Sequence, residues 1–147
     1  MSKINILQTF VVGAITVSMA WVLFGSDNNR SCVFVVPKQG CVFAETVNTP
    51  ETREKGLSGR TSLANNKGML FEFQEPGGYC FWMKDMKFNI DVIWLDGEKR
   101  IIDIKKDLSP ATYPQAFCPI LQTKYVIEVN AGVAKQANLI VGHKLKF

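Results

Sequence analysis

A chain of 147 residues has room for one domain and an appendage, and 47% hydrophobic against 20% charged residues suits a packed core rather than a disordered segment. A net charge of +4 is mild, well short of the dense basic footprint expected of a nucleic-acid binder. No internal repeat of solenoid or propeller length is visible.

The amino-terminal stretch from Ile4 to Ser26 carries no charged residue, and Phe10 to Phe24 (FVVGAITVSMAWVLF) is mostly apolar. A helix of about 20 residues rising ~1.5 Å each crosses the hydrocarbon of a bilayer. The expectation is therefore a signal anchor, a transmembrane helix over residues 1–26. Lys3 would stay in the cytoplasm, with a linker at 27–31 and an extracytoplasmic β-rich domain over 32–147. The alternative is a cleaved signal peptide with Ser18 and Ala20 before the cut, which would leave a secreted domain. The apolar run through Trp21 to Phe24 continues beyond that point and favours the uncleaved anchor.

Cys32 to Val36 and Cys41 to Val47 are β-branched runs around Pro37-Lys38-Gln39-Gly40, which reads as a hairpin. Thr49-Pro50 opens a short helix, with Thr49 as cap and Pro50 at the first helical position. Met69 to Phe73 is a strand, broken at Glu75-Pro76-Gly77-Gly78. Tyr79 to Met83 and Ile90 to Leu95 then read as the two central strands, joined irregularly through Lys84 to Asn89. Asp96-Gly97 is a strong hairpin signal leading into Lys99 to Lys106.

Three prolines make Asp107 to Pro119 an ordered loop. Tyr125 to Val129 is a strand, Asn130 caps a helix over Ala131 to Ala137, and Leu139 to Phe147 returns as a last strand broken at Gly142. The expected fold is mainly β (α+β), a small β-barrel-like domain with two short helices behind one transmembrane helix.

No cysteine pair has C-x-x-C spacing and His143 is the sole histidine, so a metal site lacks its usual ligands. No phosphate-cradling loop is present, and neither a cofactor nor a catalytic triad is implied. In an exported domain the four cysteines read as disulfides. Cys80–Cys118 would pin the proline loop to the sheet. Cys32–Cys41 demands a shifted register or a twist, because a four-residue turn sets Val36 against Cys41.

Alternation places Phe81 and Met83 on one face, with Cys80, Trp82 and Lys84 on the other. Ile90, Val92 and Trp94 oppose Asp91, Ile93 and Leu95 in the same way. Asp91 and Glu128 are carboxylates set among apolar neighbours, where burial without a partner is costly. Asp91 should therefore reach a cation, Lys84 or Arg60, or backbone donors. Arg60, Lys84, Asp91 and Glu128 form a candidate polar cluster, and Trp82 and Trp94 either stack a flat ligand or fill the core.

The segment FWMKDMKFNIDVIWLD, with TPETREKGLSGR and GMLFEF before it and KYVIEVNAG and VGHKL after it, resembles the family called domain of unknown function 192 over about residues 41 to 147. The resemblance implies a small β-barrel-like domain, often exported or anchored by a hydrophobic amino-terminal segment, and no established activity. The family's recurring polar positions match Arg53, Arg60, Trp82, Lys84, Asp91 and Glu128, while Asn89 stands where many relatives place proline.

Three functional readings follow. The first is a membrane-anchored binding or accessory domain whose ligand set is Arg60, Trp82, Lys84, Asp91 and Glu128, with a small-molecule, glycan or envelope-protein partner and no nucleic acid. The second is an enzyme using Asp91 or Glu128 as acid or base, which predicts a carboxyl with a strongly raised pKa inside a pocket. The third is a structural or assembly subunit of an envelope complex, which predicts a broad apolar patch.

Overall fold

A computed structural model describes residues 30–147, so the expected helix over residues 1–26 lies outside the described residues. Among the described residues no helix is long and apolar enough to cross a membrane. The first strand, β1 (Arg30–Val36), begins inside the segment read as linker and forms an antiparallel hairpin with β2 (Gly40–Val47). A crossover carrying α1 (Pro50–Lys55) leads to β3 (Lys67–Gly77), which runs parallel to β2. β4 (Phe81–Trp82), β5 (Ile90–Leu95) and β6 (Ile101–Leu108) follow. A 3-10 turn at Pro110–Thr112, β7 (Ala116–Phe117), β8 (Thr123–Asn130) and α2 (Val133–Gln136) complete the chain.

Six strands form one sheet in the order β1-β2-β3-β8-β5-β6, curled into a half-barrel. Its middle strands are β3, β8 and β5, each needing apolar side chains on both faces; all of Ile90–Leu95 is buried. The core on one face gathers Val33, Val42, Leu70, Ile93, Leu95, Ile127 and Val129, closed by Val133 and Ala134 of α2. The opposite face carries Met69, Phe71, Val92, Trp94 and Val126 under the crossover and the segment before β5. The alternation read for β5 holds, with Val92 and Trp94 on one side and Ile93 and Leu95 on the other.

Two of the expected strands need correction. Of Tyr79 to Met83 only Phe81–Trp82 is strand, and it pairs with β7 in a separate two-stranded sheet instead of forming a centre of the main one. It lies across the second face, where the Phe81 ring meets Phe71 and Trp94 edge-on at 4.9 and 5.9 Å. Leu139 to Phe147 is not a strand either. It turns at Gly142 (φ 94°) and lies against the start of β6, where Ile101 donates to the His143 carbonyl and accepts from the Gly142 N–H, the Leu145 N–H donates to the Lys99 carbonyl, and Arg100 and Lys144 form an isolated bridge.

Helix α1 starts as its residues dictate. Thr49 and Thr52 exchange side-chain and backbone bonds in a capping box, and Pro50 takes the first turn. For α2 the cap is Gly132, while Asn130 donates its amide to the Leu63 carbonyl at 2.8 Å. Both disulfides form, Cys80–Cys118 with Cα atoms 4.1 Å apart and Cys32–Cys41 at 5.7 Å. The second relies on a bulge between Cys32 and Phe34. Without the extra residue Cys32 would face Ala44, on the other side of the strand from Cys41; with it Cys32 pairs with Phe43 and shares the Cys41 face.

Candidate functional site

A cavity of about 350 Å³ opens between α1, the turn after it and the segment around β4. Three parts of the chain build its walls. β3 supplies Phe71 and Phe73; the run into β4 supplies Tyr79, Phe81 and Trp82; the crossover supplies Arg53, Leu57 and Ser58. Gly56, at the end of α1 with φ 48°, lies so close to Phe71 that a Cβ there would meet the ring at 3.2 Å.

The rings are held in fixed relations. Phe73 and Tyr79 stack with centroids 3.5 Å apart and planes 8° from parallel. The Tyr79 hydroxyl donates to the Glu75 carbonyl at 2.7 Å, and the Trp94 indole N–H donates to the Tyr79 carbonyl at 2.9 Å. Trp82, 55% exposed, stands at the rim and meets Tyr113 edge-on at 6.3 Å. Ser58 Oγ donates to the Lys84 carbonyl at 2.9 Å and the Gly59 N–H to the Asp85 carbonyl at 3.0 Å, tying the crossover to the turn before β5.

Glu128 is the buried acid among the lining residues, 6% exposed. Strand β8 places it between Met69 of β3 and Val92 of β5, on the face that also carries Phe71 and Trp94. Close approach of β3 is possible because residue 68 is glycine; a Cβ there would lie 2.8 Å from the Glu128 carbonyl oxygen. Its Oε2 is buried with no hydrogen-bond partner. Burial pushes the carboxyl up to about 8, against the downward pull of the Arg60 guanidinium.

The two guanidinium groups nearby are already engaged. Arg53 donates Nη1 to the Asn48 and Glu72 carbonyls and lies over the Phe73 ring, 5.0 Å from its centroid. Arg60 pairs with Glu45 at 2.9 Å beside a smaller cleft of about 200 Å³. Both partners of that pair are well exposed, so it adds little stability.

The proposed cluster of Arg60, Lys84, Asp91 and Glu128 is thus divided by the fold. Arg60 and Glu128 interact, Trp82 joins Glu128 around the cavity, and the exposed Lys84 side chain is outside the lining. Asp91 faces the core on the α2 side of the sheet. Fully buried, it accepts the Asp107 N–H on Oδ1 and the Ala134 N–H on Oδ2, both at 2.9 Å, so backbone donors satisfy it. Trp94 is a core residue with no exposed surface. Residue-by-residue reading left out Phe71, Phe73, Tyr79 and Phe81; the signal was present as alternate aromatics in FEF and YCF, but each ring alone reads as core. Among the described residues no group of His, Cys, Asp or Glu could hold a metal ion.

Fold and site together define a small half-barrel domain with an acid-containing aromatic cavity on one face of its sheet. The chain belongs to the DUF192 family, described as uncharacterized ACR, whose model matches residues 33–147. No curated protein matches it. Among solved structures it is similar to a protein of unknown function from Novosphingobium aromaticivorans DSM 12444, at 26% identity and a TM-score of 0.71, covering 80% of this chain and 85% of that one. It is equally similar in fold to a Sinorhizobium meliloti 1021 protein provisionally named a transcription regulator, at 27% identity and a TM-score of 0.71, covering 80% and 91%.

Proposed function

We propose that this is a binding domain whose aromatic cavity takes a small organic ligand. The observation that carries the reading is the Glu128 carboxyl, buried beside an open cavity with Oε2 unpaired. An unsatisfied buried polar atom costs about 1–3 kcal/mol, and a ligand group that bonds it would recover part of that. A cavity of about 350 Å³ lies within the range of small-molecule sites, and its walls combine flat apolar rings with few polar groups. Arg60 acts here through Glu128, and Trp82 as a rim residue; the Lys84 carbonyl holds Ser58 of the cavity lining, while Asp91 braces backbone on the opposite face of the sheet.

The domain is proposed to work outside the cytoplasm, anchored by residues 1–26. That placement is supported by the uncharged stretch from Ile4 to Ser26 and by two disulfides in one small domain. One observation favours a second reading, acid–base catalysis: a carboxyl with a pKa of about 8 in a cavity suits a general acid or base at neutral pH. Of Asp91 and Glu128 it is Glu128 that would carry it, since both Asp91 oxygens are engaged by backbone donors.

Ligand-observed NMR of the full-length chain against a diverse fragment collection tests the binding reading. A subset of fragments should bind, and Glu128→Gln and Trp82→Ala should each weaken that subset at least fivefold. Binding indifferent to both substitutions, or no binding at all, would remove it.

A further inference from the structure

Resting on the small-ligand reading, we propose that the cavity selects a protonated basic nitrogen carried on a flat apolar body, with the Glu128 carboxylate as its counter-ion. Three observations point this way. First, the walls are aromatic: Phe71, Phe73, Tyr79, Phe81 and Trp82 line one space, and ring systems attract cations as well as flat apolar groups. Second, Glu128 offers an unpaired buried acceptor, which N–H donors of a ligand would fill. Third, the guanidinium groups that could receive an anion are committed elsewhere, Arg53 to two carbonyls and the Phe73 ring, Arg60 to Glu45.

The remaining surroundings of the acid are close to neutral. From α1 the exposed Glu54 and Lys55 at the rim offset one another. β3 and β5 turn Met69, Phe71, Val92 and Trp94 to this face, and β8 itself adds Val126 and Asn130. Arg60 is therefore the charged group acting on the carboxyl.

Binding then carries a proton signature. An ammonium ligand arrives charged, so the Glu128 O–H bond breaks, its proton passes to solvent, and the carboxylate pairs with the cation. Because the carboxyl ionises near 8, affinity should rise about tenfold from pH 6 to pH 7. A neutral ligand that accepts the carboxyl hydrogen shows no such rise.

Titration calorimetry of the full-length chain with 2-phenylethylamine, 2-phenylethanol and phenylacetate separates the cases. The amine should bind at least tenfold more tightly than the alcohol or the acid at pH 7, and buffers of different ionisation enthalpy should register the released proton. Glu128→Gln should abolish both the preference and the pH dependence. Trp82→Ala, at an exposed rim position that does not threaten folding, should weaken the amine severalfold. An amine that binds no better than the alcohol, or without proton release, overturns the inference. If fragments occupy the cavity but the amine does not, the ligand class falls and the binding reading stands; if nothing occupies it, both fall.

Discussion

Glu128 stays protonated through most of the neutral range in the folded chain, whereas the same side chain ionises near 4.5 when unfolded. The folded state therefore holds the extra proton between those values, and stability falls as pH rises from about 4.5 to 8. The slope from this group is at most about 1.4 kcal/mol per pH unit. Denaturant unfolding at pH 5, 6.5 and 8 should show the decline in the native chain. In Glu128→Gln, which keeps the shape without the charge, that contribution should vanish. Asp91 behaves differently, because its two bonds to backbone donors would be lost together. Asp91→Ala should cost about 2–4 kcal/mol in denaturant unfolding. Because Asp91 faces away from the cavity, fragment binding under native conditions should be unchanged; a loss of binding at unchanged stability would give Asp91 a role in the site.

At the scale of elements, the disulfides differ in what they close. Cys80–Cys118 spans 38 positions and fastens the β4–β7 sheet that forms one cavity wall, while Cys32–Cys41 spans 9 within a hairpin. Chain entropy gives about 4 kcal/mol for the first loop and about 3 kcal/mol for the second. The double variant C80S/C118S should therefore unfold at lower denaturant than C32S/C41S, and it alone should weaken fragment binding. Which elements were legible in the sequence follows from the kind of signal each leaves. Thr49-Pro50 and Asp96-Gly97 are local chemistry, and the helix start and the β5–β6 hairpin came out as read. Alternation correctly sorted the faces of β5, but it does not say which sheet a strand joins, so β4 was placed at the centre. The bulge after Cys32 leaves no composition mark. The cavity was hidden for a further reason: its rings are adjacent only once the crossover and the β4 segment fold over the same face of the sheet.

Over the whole molecule, the parallel pairing of β2 with β3 makes the chain leave the sheet after Val47 and return at Lys67. The excursion carries α1 and the turn that walls the cavity. The proposed placement of the domain is tested at this scale. A cysteine introduced at the exposed Lys146 should react with a membrane-impermeant maleimide on intact cells; reaction only after lysis would put the domain on the cytoplasmic side.

The same excursion has a consequence for how occupancy and integrity are linked. The acid arrives on a strand near the end of the chain, the rings from its middle, and the helix from its first half, so a peptide lacking any of these segments cannot rebuild the cavity. A ligand bound at the proposed site should act as a keystone across distant segments and raise the melting temperature by mass action. Clipping the chain ahead of Thr123 removes β8 and the acid at once, and such a remnant should show no ligand-dependent protection from proteolysis.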